Sequence, residues 1–248
     1  MQTPTRPGPS DVAALLSLLQ REPGRPRITW YGPDGERVEL SGAVLANWVA
    51  KTTNLLVEEF DVGPGTRVRL DLPPHWRTLT WALSTWRAGA CVVTGGDDEG
   101  TDDVDTDVVV TDSPERHPGT PELVVVALPA LARRFEGTVP DGAIDGAAAV
   151  MTYGDTLGWT PPVDPAACAL SDLAGRTVTH GDLFPSTGAG QRVAARTATT
   201  TATPVVDLAL LAITTWSADG SLVLTDASLP AATVERALTD EHVTSRRH

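Results

Sequence analysis

The chain reads as an α/β protein, a parallel-type sheet flanked by helices. Short runs of Val, Leu and Ala alternate with Gly and Pro along a sequence that is 41% hydrophobic, a globular composition. The alternating run Arg67 to Leu72, a helical run through Trp86, and the apolar runs Ala90 to Val93 and Val108 to Val110 give strand, helix, strand, loop, strand. That order and spacing predict parallel strands joined by crossover connections. Upstream, Val44, Leu45, Trp48, Val49, Thr52, Leu55 and Leu56 recur at helical spacing and make one apolar face.

Residues 1–9, rich in Pro, form a loose lead-in. Ser10 is the expected N-cap of a first helix carrying Val12, Leu15, Leu16 and Leu19, which stops near Pro23-Gly24. Ile28 to Tyr31 and Arg37 to Leu40 flank Gly32-Pro33-Asp34-Gly35, a hairpin signal. Ser41 caps the helix over 44–56. Gly63-Pro64-Gly65 breaks the chain before the 67–72 strand, and Pro73-Pro74 precede a helix with Trp76, Leu79, Leu83 and Trp86 on one face. Gly89 stands where a glycine ends such a helix. Trp81 falls off that face, so it is expected against a second layer of the fold or against a partner. Leu123 to Leu128 and Ala166 to Leu170 read as strands, and residues 137–165, rich in Gly, Ala and Pro, give no assignment. Val205 to Trp216 reads as a helix, Leu222 to Leu224 as a strand and Pro230 to Leu238 as a helix.

A formal charge of −13 disfavours nucleic acid, because phosphate contacts need a basic face. No apolar run is long enough to span a membrane and no signal peptide is evident, so a cytoplasmic location is expected. Cys91 and Cys168 are far apart in sequence and suggest neither a disulfide framework nor a metal set. The five histidines show no zinc spacing. Between Gly95 and Asp107 lie Asp97, Asp98, Glu99, Asp102, Asp103, Asp105 and Asp107; lacking the ligand order of an EF-hand, they read as a mobile, solvated insertion without an ion. Lys51 is the only lysine and reads as a solvated residue of its helix.

Five stretches, in order, carry a resemblance. They are Val62-Gly63-Pro64-Gly65-Thr66-Arg67-Val68, Leu72-Pro73-Pro74-His75-Trp76, Trp86-Arg87-Ala88-Gly89-Ala90, Val108-Val109-Val110-Thr111-Asp112 and the hairpin before them. Together they resemble the N-terminal region of AMP-dependent acyl-CoA synthetases and ligases, the acyl-adenylate-forming superfamily, and within it a short, uncharacterised family of high-GC bacteria. The resemblance implies a fold equivalent to part of the large N-terminal domain of such an enzyme. Residues 10–248 would then be a single truncated domain of that kind, with any subdivision falling near 130–165.

The functional motifs of that family fare worse. Its phosphate loop corresponds here to Ser171-Asp172-Leu173-Ala174-Gly175-Arg176-Thr177-Val178-Thr179-His180. Ser171, Gly175, Thr179 and His180 match and are the candidate nucleotide-site residues. Asp172 replaces a glycine, the paired threonines have become Leu173 and Ala174, and the loop lysine is gone. An aspartate facing a triphosphate repels it, so ATP or AMP binding is disfavoured. Tyr153-Gly154-Asp155-Thr156-Leu157 imitates a later adenylate-site motif, but it precedes the loop and lacks the motif's glutamate. The expectation is a non-catalytic relative that binds a nucleotide-like or acyl/CoA-like small molecule, or a protein partner. A ligase completed by another chain and an assembly protein are the alternatives. A homodimer through Trp81 and the 205–216 helix is also expected, because surfaces that the full-length family covers would be bare.

Overall fold

The structure, a computed structural model, describes residues 8–95, 106–172, 174–184 and 195–247. Most of the acidic stretch, Asp97 through Asp105, lies outside them. Asp107 lies inside, and its carboxylate accepts a hydrogen bond from the Arg67 N–H at the start of the neighbouring strand.

Two sheets enclose a layer of helices. The first sheet is built from β1 (Pro26–Tyr31), β2 (Arg37–Ser41), β10 (Arg196–Thr200), β11 (Ser221–Thr225) and β12 (Ser245–Arg246), in the order β12-β10-β11-β1-β2. Only the β1–β2 hairpin in it is antiparallel. The second contains β3 (Arg67–Asp71), β4 (Cys91–Thr94), β5 (Val108–Thr111), β6 (Leu123–Val125), β7 (Ile144–Asp145), β8 (Cys168–Asp172) and β9 (Thr177–Thr179), ordered β7-β6-β5-β3-β4-β8-β9. Its strands run parallel except for the β8–β9 hairpin at one edge. From β3 the chain crosses to β4 on one side, and from β5 it goes to β6 on the other, so direction reverses at the β3–β5 junction.

Between the sheets lie α1 (Val12–Leu19), α2 (Gly42–Phe60), α3 (Trp76–Arg87) and α5 (Val205–Ser217); the short α4 (Gly146–Val150) follows β7, and α6 (Ala231–Asp240) covers the outer face of the first sheet. One apolar core runs through the helical layer and takes in residues of both sheets, including Ile28, Leu224, Val68 and Val92. Smaller clusters close the outer faces: Val109, Leu123 and Val125 on the second sheet, and Ala198, Val223 and Leu238 on the first.

The helix starts follow the caps. Asp11, not Ser10, caps α1: its carboxylate accepts from the Ala14 N–H at 2.8 Å, while Ser10 donates to the same carboxylate. An ionised acceptor is the stronger cap at a helix N-terminus. Ser41 caps α2 as expected. On α2, Val44 turns out exposed and Trp48 half-buried, so the buried face is narrower than the spacing implies. Lys51 is not a free surface lysine; its ammonium donates to the Tyr153 carbonyl.

Helix α3 is buried on every side from Trp76 to Trp86. Its polar residues permit this by bonding to backbone. Thr80, Ser84 and Thr85 donate to the carbonyls four residues earlier, and Arg77 donates to the carbonyls of Leu128, Pro129 and Ala130. Trp81 therefore meets a second layer of the same fold: it packs toward Gly146, where an added Cβ would come within 3.3 Å of its ring. Helix α5 buries Val206, Leu208, Ala209, Ala212, Ile213 and Trp216 in the same core. Neither Trp81 nor the apolar face of α5 is free to make the dimer contact expected of them.

Cys91 and Cys168 correct another expectation. Separated by 77 residues, they are the first residues of the adjacent strands β4 and β8 and are joined as a disulfide, with Cα atoms 5.3 Å apart.

Candidate functional site

In open α/β sheets ligands lodge at the carboxyl ends of the strands, where strand order reverses. Here that is the end marked by Asp71 on β3 and Thr111 on β5. A cleft of about 730 Å³ opens there between the two sheets. Its lining comes from the carboxyl ends of β3, β4 and β8, the segment after β5, and the turn from Thr201 into α5. A second hollow of about 550 Å³, lined by Trp30, Glu36, His75 and Asp226, shares Pro73, Pro74 and Thr201 with it.

The arginines of the cleft are paired with its carboxylates. Asp71 accepts from Thr111 Oγ1 at 2.9 Å, pairs with Arg116 at 3.1 Å and lies 2.7 Å from His117 Nε2. Arg116 also reaches Asp112, whose carboxyl is pushed up mainly by its own burial. Arg176 pairs with Asp207 in the first turn of α5 at 2.8 Å, where an acid also meets the positive end of the helix dipole. With Asp172 the wall holds more carboxylates than guanidinium groups. Among the described residues, no three His, Cys, Asp or Glu side chains converge as a metal set.

The remnant of the phosphate loop is a hairpin turn between β8 and β9. Asp172 closes it three times: its N–H donates to the Arg176 carbonyl at 3.0 Å, its carbonyl accepts from Gly175 N–H at 3.1 Å, and its carboxylate accepts from Arg176 N–H at 2.8 Å. Gly175, at φ 88°, supplies the left-handed step that the tight turn needs. Ser171 sits one residue before Asp172 on β8, paired with Val93 of β4.

The four candidate residues are not brought together. Because β9 runs back antiparallel, Thr179 pairs with Cys168 at the amino end of the sheet, the far end from Gly175. There Thr179 donates to Asp182 and orders the following turn. His180 is buried against the carbonyls of Gly89 and Ala90, and its imidazole pKa is lowered chiefly by burial. It lines a different cavity altogether. Sequence matching found the loop but could not show that a hairpin divides its two ends.

Sequence reasoning missed Asp71, Arg116, His117 and Asp207. Their only sequence signal is position, at strand ends and at the start of α5. His75, quoted only for its place in a motif, caps α3: Nδ1 accepts from Arg77 N–H, which needs a neutral ring, and burial holds its pKa down at about 3. The Tyr153–Leu157 segment sits against α2 instead of the cleft. Asn54 holds it through the carbonyls of Gly154 and Thr156 and the N–H of Gly158.

The fold is similar to that of a solved synthetase. A solved acyl-CoA synthetase from Brucella canis superposes with a TM-score of 0.70 over 95% of this chain at 16% identity, a likeness of fold. The chain spans about half of it, 50% of its length. No protein-family model matches the chain. A Mycobacterium tuberculosis (strain ATCC 25618 / H37Rv) protein, described as a TIGR03089 family protein, is 36% identical over 184 residues, which cover 70% of each chain. With that identity and coverage, on a fold shared with acyl-CoA synthetases, the chain belongs to the TIGR03089 family.

Proposed function

We propose that this chain is a non-adenylating relative of the acyl-CoA synthetases which binds a small molecule lacking a triphosphate in the cleft at the carboxyl ends of its strands. The observation that carries this reading is the closed 172–176 turn. A phosphate cradle needs successive backbone N–H groups turned outward to the anion. In this turn the N–H groups of Gly175 and Arg176 are both bonded to Asp172 and are not turned outward to an anion. The arginine that could have served as the loop's cation is committed to Asp207. Lys51, the sole lysine, is held at the Tyr153 carbonyl. The described residues therefore do not fit ATP, and no adenylation step is derived through it. The surplus of carboxylates suits a neutral or cationic molecule better than a polyphosphate.

A second reading, a ligase whose catalytic unit is completed by other sequence, is favoured by the half-length coverage of the synthetase. Two assays test the first reading. ATP–pyrophosphate exchange with magnesium and a panel of carboxylic acids should stay at background. A thermal-shift series should show no rise in midpoint with ATP, while any specific binder among AMP, CoA and acyl-CoAs raises it by mass action. Exchange by protein free of contaminating ligase would overturn the proposal.

A further inference from the structure

The second hollow belongs to the first sheet. The parallel strands β1 and β11 both finish beside it, at Tyr31 and Thr225, where the start of α3 and the segment after β6 close it. At about 550 Å³ it falls within the range of small-molecule sites. Its apolar wall is Trp30, Leu128 and four prolines. Every charged side chain that lines it is acidic: Asp34, Glu36 and Asp226. The wall is set by a close approach. The Trp30 indole N–H donates to Glu36 Oε2 at 2.7 Å across Gly32, where an added Cβ would come within 2.7 Å of both atoms.

Much of the polar lining is already bonded. Glu36 Oε1 accepts from the Ala130 N–H at 2.7 Å, so both oxygens of that carboxylate are engaged. Thr201 Oγ1 accepts from the Ala227 N–H at 2.8 Å. Two groups keep an open position. Asp226 accepts from the Ser228 N–H and hydroxyl through Oδ1 alone, and its Oδ2 has no partner among the described residues. His75 is 4% exposed, and its Nδ1 accepts from the Arg77 N–H at 3.2 Å, which puts the ring proton on Nε2. That N–H has no acceptor among the described residues, and unlike Nε2 of His180 it is not closed off from solvent. Trp30 holds the imidazole edge to face, with ring centroids 4.7 Å apart. The nearby Arg77 guanidinium is committed to the carbonyls of Leu128, Pro129 and Ala130. A donor buried this far costs free energy until an acceptor reaches it.

We infer that this hollow binds a small organic ammonium that carries a hydrogen-bond acceptor and an apolar body. The ammonium would pair with Asp226 Oδ2 in the field of Glu36 and Asp34, and the acceptor would take the His75 Nε2–H. The body would lie against Trp30 and the prolines, whose backbone has no N–H to satisfy. The charge points to an organic cation because, among the described residues, no three His, Cys, Asp or Glu side chains converge as a metal set. The hollow shares Pro73, Pro74 and Thr201 with the cleft, but neither His75 nor any of the three acids lines the cleft. The inference therefore does not depend on the reading of the cleft.

The test uses phenylalaninamide at mildly acidic pH, where its amine is protonated and His75, its pKa held at about 3 mainly by burial, stays neutral. Hydrocinnamamide lacks only the ammonium, and phenethylamine lacks only the carboxamide. Calorimetry measures binding, and the indole N–H resonance of Trp30, assigned by its loss in Trp30→Phe, locates it. Phenylalaninamide should move that resonance saturably. Hydrocinnamamide should bind about tenfold more weakly, the loss of a charge-assisted pair, and phenethylamine about fivefold more weakly, the loss of one neutral hydrogen bond. Asp226→Asn keeps an Oδ1 acceptor for Ser228; it should weaken phenylalaninamide by about tenfold and leave hydrocinnamamide unchanged, which guards against a variant that merely unfolds. His75→Asn, which can still cap α3, should close the gap between phenylalaninamide and phenethylamine. Glu235→Gln, on the outer helix α6, removes the same charge elsewhere and should leave binding unchanged. The inference falls if the Trp30 resonance does not move, if hydrocinnamamide binds as tightly as phenylalaninamide, or if folded Asp226→Asn binds phenylalaninamide as well as the wild type. Saturable calcium binding read at Trp30 in place of the amine would also overturn it.

Discussion

The two ends of the second sheet are built on opposite plans. At the carboxyl end Arg116 pairs with Asp71 and Asp112, Arg176 pairs with Asp207, and the cleft is wide. At the amino end a disulfide joins β4 to β8, and the cavity there sets Trp86, Phe184 and prolines beside Ser10, Asp11, Arg87 and Thr160. The fold usually places its chemistry at the first of these ends. In this chain the arginines of that end are held in ion pairs, and Asp172 adds a carboxylate outside any ion pair among the described residues. A shared fold thus fixes where a cleft opens but leaves its chemistry to a few side chains.

The largest expected effect tests whether the amino end depends on its aromatic wall. Trp86, 2% exposed, donates to the Ala169 carbonyl at 2.6 Å and so ties α3 to β8. Trp86→Ala should destabilise the protein by about 3–5 kcal/mol, with Trp48→Ala, at a half-buried site, costing clearly less. Denaturant unfolding of the two variants checks this; equal losses would mean that α2 and α3 contribute alike and that the amino end has no special role.

Next in size is the disulfide. Reduction opens a link across 77 residues and should lower stability by about 2–4 kcal/mol. Unfolding midpoints with and without reductant measure it, and a thiol count on the denatured, unreduced protein should find no free cysteine. If the midpoint does not move, the amino end is held by packing alone.

The smallest effect sharpens the view of the carboxyl end. Asp172→Ala removes the carboxylate acceptor of the Arg176 N–H and should cost about 1 kcal/mol. It should not produce ATP binding, because Asp112 and Asp207 still line the cleft. Calorimetry with ATP on this variant decides the point: tight binding would show that one side chain alone keeps the nucleotide out.

Much of the fold was legible because periodicity and punctuation agree. The hairpin, α2, α3 and the strands β3 to β6 all fall where apolar spacing and Gly or Pro breaks put them. Strand β10 escaped because it is written in threonine: Thr197 and Thr199 are buried with Ala198 between them, so no polar–apolar alternation shows. β7 and α4 lie in the Gly- and Ala-rich stretch, where propensity favours nothing in particular, and only the Asp145 cap marks the helix. Trp81 was expected against a second layer of the fold or a partner, and the burial of α3 on every side decides for the second layer. The candidate site was legible as a damaged loop and no further. Asp71 and Arg116 meet only through the order of the strands, and the Cys91–Cys168 pair only through β4 and β8 being neighbours.

Helix α3 has one consequence for how the molecule opens. A helix with a wet side can fray or lift away while the rest of a protein stays folded. From Trp76 to Trp86 this one has no such side, and its neighbours are β3 and β4 of the second sheet and the helices α1, α2 and α5. Its amide protons can reach solvent only when the helical layer comes away from the second sheet. They should therefore exchange together and last, at the rate of whole-chain unfolding, which makes α3 the clock of the fold's cooperativity.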